Sequence, residues 1–206
     1  MAMKLLYSPG ACSIGIHVIL EEIGAPFETE RVSLKDGAQY QQGFTAINPK
    51  SKVPTLVRDD GSVLTEFPAI AYWLANTHPA AKLWPAGVEA QTRAIEVMDY
   101  VVATVHMQGF SRIFRPSNFA PSTADEEKVR KRGLEIFENG LAILDRALTG
   151  KEYAVGPYSV ADAALFYIEF WRHSGKMELP ANLALHYQRM LARPAVRRVL
   201  QKEGLA

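Results

Sequence analysis

The chain has 206 residues, 48% of them apolar and 22% charged, with a formal net charge of +1 and a single cysteine. Such a composition belongs to an ordinary globular protein, and the near-zero charge excludes the broad basic footprint of a nucleic-acid or anionic-membrane binder. One cysteine excludes an internal disulfide, a CxxC redox pair and a cysteine-rich metal site, and no stretch is long and apolar enough to span a bilayer.

The N-terminus, "MAMKLLYSPG", lacks the apolar run of a signal peptide, so with its lone thiol the chain is expected in a reducing cytosol. "KLLYS" (4–8) reads as a buried strand ended by Pro9 and Gly10. Ser13 to Glu22 reads as a helix, with Ile16, Ile19, Leu20 and Ile23 at helical spacing and Gly24 as its stop. "FETERVSL" (27–34) alternates like a half-exposed strand. "VPTLVRDDGSVLTE" (53–66) reads as a hairpin turning at Asp60 and Gly61. "FPAIAYWLANTH" (67–78) is a helix that tolerates Pro68 in its first turn.

The order β-α-β, a connection, then β-β-α implies a parallel pair extended by an antiparallel hairpin. That is a thioredoxin-like α/β domain over residues 1–79. A Pro- and Ala-rich linker follows at 80–88, and residues 89–206 show no strand pattern and read as an all-α domain. Within it a long helical pattern covers 89–114. Thr123 and Glu126 have capping-box spacing ahead of a helix to about Leu148, and Ser159 with Asp162 resembles a second box ahead of "AALFYIEFW". Short helices are expected near 181–192 and 194–202.

Three stretches carry chemistry. Cys12 follows a strand end and a tight turn and stands just before a helix start. A lone cysteine is usually a small buried apolar side chain. At a helix N-terminus, however, unpaired N–H groups and the helix dipole stabilise a thiolate, so the position suits sulfur chemistry. Ser13 reads most simply as the helix cap. In "NPKSKVPTL" (48–56), Pro54 belongs at a strand start. The Val53–Pro54 bond is expected trans, because cis is the minority form; a cis bond would turn the Val53 backbone toward an extended peptide ligand. In "LTEFPAI" (64–70), Glu66 at a helix N-terminus either compensates the dipole or binds an ammonium group, and the Phe67 N–H can meet a carboxylate.

Taken together, "YSPGACS", "NPKSKVPTL", "LTEFPAI" and "YSVADAALF" resemble a glutathione transferase, most closely the bacterial beta class, over nearly the whole chain. The resemblance implies glutathione as co-substrate, no other cofactor and no metal. It puts Cys12 opposite the glutathione sulfur, with Tyr7 and Ser13 close by. Lys35 would meet the glycyl carboxylate, although as part of "RVSLKD" it reads equally as a surface lysine. Val53, with Lys52 and Pro54 around it, would pair with the cysteinyl backbone, and Glu66 with the Phe67 N–H would hold the γ-glutamyl end. Asp99 would reach across from a second subunit of a homodimer, and His106 would lie near the sulfur.

Aligning from "IEVMDY" (95–100) puts His106 at the family histidine, whereas aligning back from "GFSRIFRP" (109–116) puts Met107 there, as if one residue were inserted between. Family members commonly carry a small residue at Phe67 and Asn at Asp99. The aromatic group "FYIEFWRH" (166–173), with Phe166 and Phe170 one helical turn apart, reads first as core; Tyr167 and Trp171 also stand as lining for an electrophile pocket.

The expected activity is a cytoplasmic, detoxifying transferase that conjugates glutathione to a small hydrophobic electrophile, with no nucleic-acid or membrane partner. The rivals are a thiol–disulfide transferase working through Cys12 and a non-enzymatic glutathione-dependent carrier.

Overall fold

The computed structural model describes residues 2–206. The chain divides into two compact units, one running to Pro85 and including Arg189–Ala206, the other Ala86–Gln188.

In the first unit, β1 (Met3–Tyr7), β2 (Phe27–Arg31), β3 (Thr55–Val57) and β4 (Val63–Thr65) form one sheet in the order β2-β1-β3-β4. β1 and β2 pair in parallel, and β3 pairs antiparallel with both β1 and β4, as the strand–helix–strand and hairpin signals require. β2 stops at Arg31, short of the expected Leu34, but Val32 stays buried and its N–H still reaches the Tyr7 carbonyl at 2.7 Å. Helix α1 (Ser13–Ile23) ends where Gly24 turns left-handed at φ 71° and donates to the Leu20 carbonyl. A short α2 (Gln42–Thr45) leads toward β3, and α3 (Phe67–Thr77) follows the hairpin with Pro68 in its first turn. Leu5, Ile14, Ile19, Leu56, Ile70 and Leu74 are fully enclosed and form the core of this thioredoxin-like layer.

The last helix, α9 (Pro194–Glu203), belongs to this first unit, although the sequence boundary at residue 89 assigned everything after it to the helical domain. The helix buries Ala195, Val196 and Val199, and charge fastens it to α1. Glu21 of α1 accepts from both Arg198 and Lys202 at 2.6 Å, and Glu22 accepts from Arg193 at 2.6 Å. Burial alone would raise the Glu21 carboxyl, but its two cationic partners outweigh that and hold it below the usual carboxylate range.

The second unit is helical throughout: α4 (Val88–Asp99), a π-helical segment (Tyr100–Phe110), α5 (Ser111–Phe114), α6 (Glu126–Ala147), α7 (Val160–Ser174) and most of α8 (Ala181–Ala192). α6 lies close enough to the π segment that a side chain at Gly133 would put its Cβ 2.8 Å from the Gly109 carbonyl. The capping box before α7 forms as expected: the Ser159 N–H donates to Asp162 at 2.7 Å and the Ala161 N–H to the Ser159 hydroxyl. The one expected at Thr123 and Glu126 does not form. Thr123–Asp125 is a single 3₁₀ turn, and the Ser122 hydroxyl bonds the Asp125 carboxylate instead. No helix among the described residues is long and apolar enough to cross a membrane.

Candidate functional site

The sulfur site begins at the end of β1. Tyr7 closes the strand, and the Pro9–Gly10 turn is held by the Ala11 N–H on the Ser8 carbonyl at 3.0 Å. Gly10 sits at φ 68°, a left-handed conformation in which a side chain would be strained. Cys12 then occupies the N-cap position of α1, and its Sγ donates to the Val53 carbonyl at 3.3 Å. The thiol from the first loop and the backbone ahead of β3 are therefore in direct contact.

Ser13 does not cap the helix. Its hydroxyl is fully buried and turns back to Ser8, accepting from the N–H and donating to the carbonyl, each at 3.2 Å. It ties the helix start to the strand end.

The electrostatics at Cys12 run opposite to the expectation from the helix terminus. Part of the residue still reaches solvent, but its sulfur is crowded by protein, and that burial pushes the thiol up to about 12. The backbone N–H groups of Cys12 and Ser13, together with the Lys52 charge, act in the opposite direction but do not prevail, and Glu66 adds to the rise. The thiol is therefore a hydrogen-bond donor near neutral pH. Tyr7 is likewise kept protonated, chiefly by burial and then by the negative charge of Glu203.

The segment that presents Val53 is organised by a residue the motif reading passed over. Asn48 is buried, and its side-chain amide donates to the Lys52 carbonyl at 2.9 Å and the Thr55 hydroxyl at 2.8 Å, while its oxygen accepts from the Lys50 N–H at 3.0 Å. The Val53–Pro54 peptide is cis, where the sequence expectation was trans. The Val53 side chain packs with Leu6, Val32 and Phe44, while its carbonyl is the group that meets Cys12. Pro54 is buried and Lys52 is exposed.

At the hairpin end, Glu66 stands at the start of α3 with φ 70°, uncommon for a residue with a side chain. Its carboxylate accepts from Lys50 Nζ at 2.8 Å, and Lys50 also reaches the Thr65 hydroxyl at 2.8 Å. Both charged ends are about half exposed. Glu66 therefore already holds an ammonium group, supplied by the chain itself. The Phe67 ring is buried in the core, so only its backbone faces the helix start. Lys35 is exposed in the turn after β2, and the first unit does not bring it into the Cys12–Val53 contact.

His106 and Asp99 belong to the second unit. Asp99 is exposed at the last position of α4. His106 lies inside the π segment, with its ring edge-on to Trp171 at 4.7 Å and Nδ1 at 3.5 Å from the Tyr167 hydroxyl. Met107 points elsewhere, with its sulfur against the Ser111 hydroxyl. The π segment, whose turns hold about one residue more than α turns, spans the stretch from the end of the first anchor to the start of the second. Of the aromatic group, Phe166 and Tyr167 are fully buried, and Trp171 is half-buried, stacked on Phe110 at 4.2 Å. Among the described residues no group of three or more His, Cys, Asp or Glu side chains is arranged to hold a metal.

Comparison with known proteins agrees with this geometry. Residues 10–77 match the family model described as glutathione S-transferase, N-terminal domain. Glutathione S-transferase GstA of Escherichia coli O157:H7 is 36% identical over 208 aligned residues, covering 98% of this chain and 100% of that one. A bacterial beta class glutathione S-transferase of Sphingomonas chungbukensis superposes with a TM-score of 0.85 at 33% identity, over 98% of this chain and 100% of its own. A sphingomonad glutathione S-transferase complexed with glutathione does so with a TM-score of 0.85 at 35% identity, again over 98% and 100% of the two chains. With a thioredoxin-like sheet, a thiol at the end of its first strand and relatives of this kind along nearly its whole length, the chain belongs to the glutathione transferases and is a transferase enzyme.

Proposed function

We propose that the enzyme transfers the sulfur of glutathione to small apolar electrophiles and that Cys12 serves as a hydrogen-bond donor to the reacting sulfur. One observation carries this reading: the Cys12 thiol already donates to the Val53 carbonyl at 3.3 Å, and burial raises its pKa, which favours the protonated form. A bound tripeptide would take over the Val53 backbone, and the S–H would turn from that carbonyl to the ligand's thiolate. A donor aimed at developing or resident negative charge lowers the pKa of the bound thiol and keeps the nucleophile ionised. Tyr7, also protonated, is a second donor at the strand end.

The rest of the tripeptide is assigned by charge. Glu66 takes the α-ammonium group, displacing Lys50, and the Phe67 N–H takes the adjoining carboxylate. Lys35 takes the glycyl carboxylate, and Lys52, Val53 and Pro54 flank the cysteinyl portion, with Ser13 fastening the loop beneath. In the second unit, Trp171, Tyr167 and His106 offer aromatic surface to the electrophile. The resemblance adds a homodimer in which Asp99 serves a second copy's glutathione, a catalytic contribution from His106, and a cytosolic role in detoxification.

A protonated thiol disfavours the rival chemistry. Thiol–disulfide exchange requires a thiolate at Cys12, and burial of the sulfur works against that form. The test is to add reduced glutathione and an aryl halide and follow conjugate formation, with calorimetry of glutathione binding alongside. Conjugate formation supports the proposal. Turnover of mixed disulfides without conjugation, or glutathione uptake with neither reaction, overturns it.

A further inference from the structure

The Pro9–Gly10 turn that carries Cys12 is fastened from the far end of the chain. Glu203, the last residue of α9, has a fully buried side chain with both oxygens engaged. Oε2 accepts from the Gly10 N–H at 2.9 Å, and Oε1 meets His17 Nδ1 at 2.8 Å. His17 is itself enclosed on α1, between the rings of Tyr7 and Phe27 at 5.4 and 5.7 Å, and its Nε2 is buried without a hydrogen-bond partner. A carboxylate offers only acceptors, so His17 Nδ1 must donate to it.

We propose that Glu203 is a positioning residue of the sulfur site: through the Gly10 N–H and His17 it locks the turn that holds Cys12 against the Val53 carbonyl.

Three features support this role over simple helix docking. Docking of α9 already has its own ion pairs, Arg198 and Lys202 on Glu21 and Arg193 on Glu22, none of which touches the turn. A buried carboxylate is strongly destabilising unless its lone pairs are met. Glu203 is met by one donor from the turn and one from the helix that follows it, so the same group grips both sides of Cys12. The gripped residue is also two positions from the thiol, where the chain has left-handed φ and no side chain to resist movement. Losing the acceptor would let the turn relax and the sulfur swing away from Val53 into solvent. The inference rests on the proposed function only in calling this turn a sulfur site; the lock can be tested without glutathione.

Cys12 is the only thiol, so its alkylation by iodoacetamide reports on one atom. Glu203→Met keeps a packed stem and removes the acceptor. It is expected to speed alkylation at pH 8 roughly tenfold and to lower the midpoint of the pH profile by about one unit, because below both pKa values each unit multiplies the thiolate tenfold. Glu203→Gln retains an oxygen for the Gly10 N–H and should stay within about twofold of the parent, which is rescue by the conservative variant. Arg198→Ala, which weakens α9 docking without touching the turn, should lower Tm and leave the alkylation profile in place. An unchanged profile in Glu203→Met, or an equal change in Arg198→Ala, overturns the proposal. Should Glu203→Met not fold, amide exchange of the parent decides: a Gly10 N–H protected about as well as core amides supports the lock, and one exchanging at the rate of exposed loops overturns it. Parallel calorimetry separates the two readings, since absence of glutathione uptake by the parent would defeat the proposed function whatever the alkylation rates.

Discussion

Cys12 Sγ stands 3.3 Å from the Val53 carbonyl, as a donor and not as an anion. This contact joins the two loops proposed to hold the tripeptide, and on that proposal the residue's contribution is a hydrogen bond that can be deleted. Hydrogen bonds to charged groups contribute roughly 1.5–3 kcal/mol. Cys12→Ala should therefore reduce kcat/KM for conjugation of an aryl halide by about 10- to 100-fold, while any disulfide exchange disappears altogether. Steady-state kinetics of both reactions check this; equal loss of both would mean that Cys12 is itself the nucleophile.

Glu66 and Lys50 form an exposed pair, which glutathione would have to open if it binds as proposed. Exposed pairs of this kind contribute at most about 1 kcal/mol. Lys50→Ala should therefore lower KM for glutathione by roughly two- to fivefold, within that limit, with kcat little changed. Glu66→Gln loses the charge proposed to meet the ammonium group and should raise KM by at least about tenfold, since a charge-assisted hydrogen bond contributes about twice a neutral one. Kinetics at saturating electrophile separate the two effects.

The second unit holds a buried acid–base group. His186 Nδ1 faces Glu169 at 2.8 Å and Nε2 faces Asp162 at 3.2 Å, so the ring lies between two carboxyl groups whose negative charge favours its protonated form. Burial opposes that charge, but the two carboxylates outweigh it and push His186 up to about 10 from 6.5. Burial also raises the Glu169 carboxyl, even against the pull of His186. A folded pKa above the unfolded one means that the His186 contribution is fully present below about pH 6.5 and is lost as pH rises through about 10. Thermal unfolding followed by circular dichroism should show Tm falling across that window. In His186→Leu, Glu169 loses its partner, stability at pH 7 should drop by about 3–5 kcal/mol, and the alkaline slope should flatten.

α6 approaches the π segment so closely at Gly133 that an added Cβ would meet the Gly109 carbonyl at 2.8 Å and the Arg112 Cβ at 2.6 Å. Backbone cannot rotate away as a side chain can. Gly133→Ala should therefore cost about 1–3 kcal/mol, the usual range for overpacking, despite alanine's better helix propensity. Chemical denaturation of the variant checks this. Glycine's other freedom, positive φ, is not needed there, so any loss reports the approach alone.

Much of this was legible in one dimension because its causes are local. The apolar run before Pro9, the spacing of Ile16, Ile19 and Leu20, the stop at Gly24 and the Asp60–Gly61 turn each involve neighbours a few residues apart, and together they specify a β-α-β unit with a hairpin. The Ser159–Asp162 box is local too, and it forms. At Thr123 the same spacing fails, because Ser122 finds Asp125 before a cap can close. Ser13 had the right type for a cap, but β1 placed Ser8 within reach of its hydroxyl.

Residue order by itself determined the succession of strands and helices, the position of the one thiol at a strand end, and the three loops that mark the family. Only the tertiary structure decided how that thiol behaves. Cys12 stands at a helix start, where the local field favours a thiolate, yet it stays protonated because desolvation by residues distant in sequence is the larger effect. Lys50 on Glu66 and Glu203 on Gly10 were equally invisible, the second across 193 residues, because an ion pair or a charge-assisted hydrogen bond depends on distance in space and leaves no periodic trace along the chain.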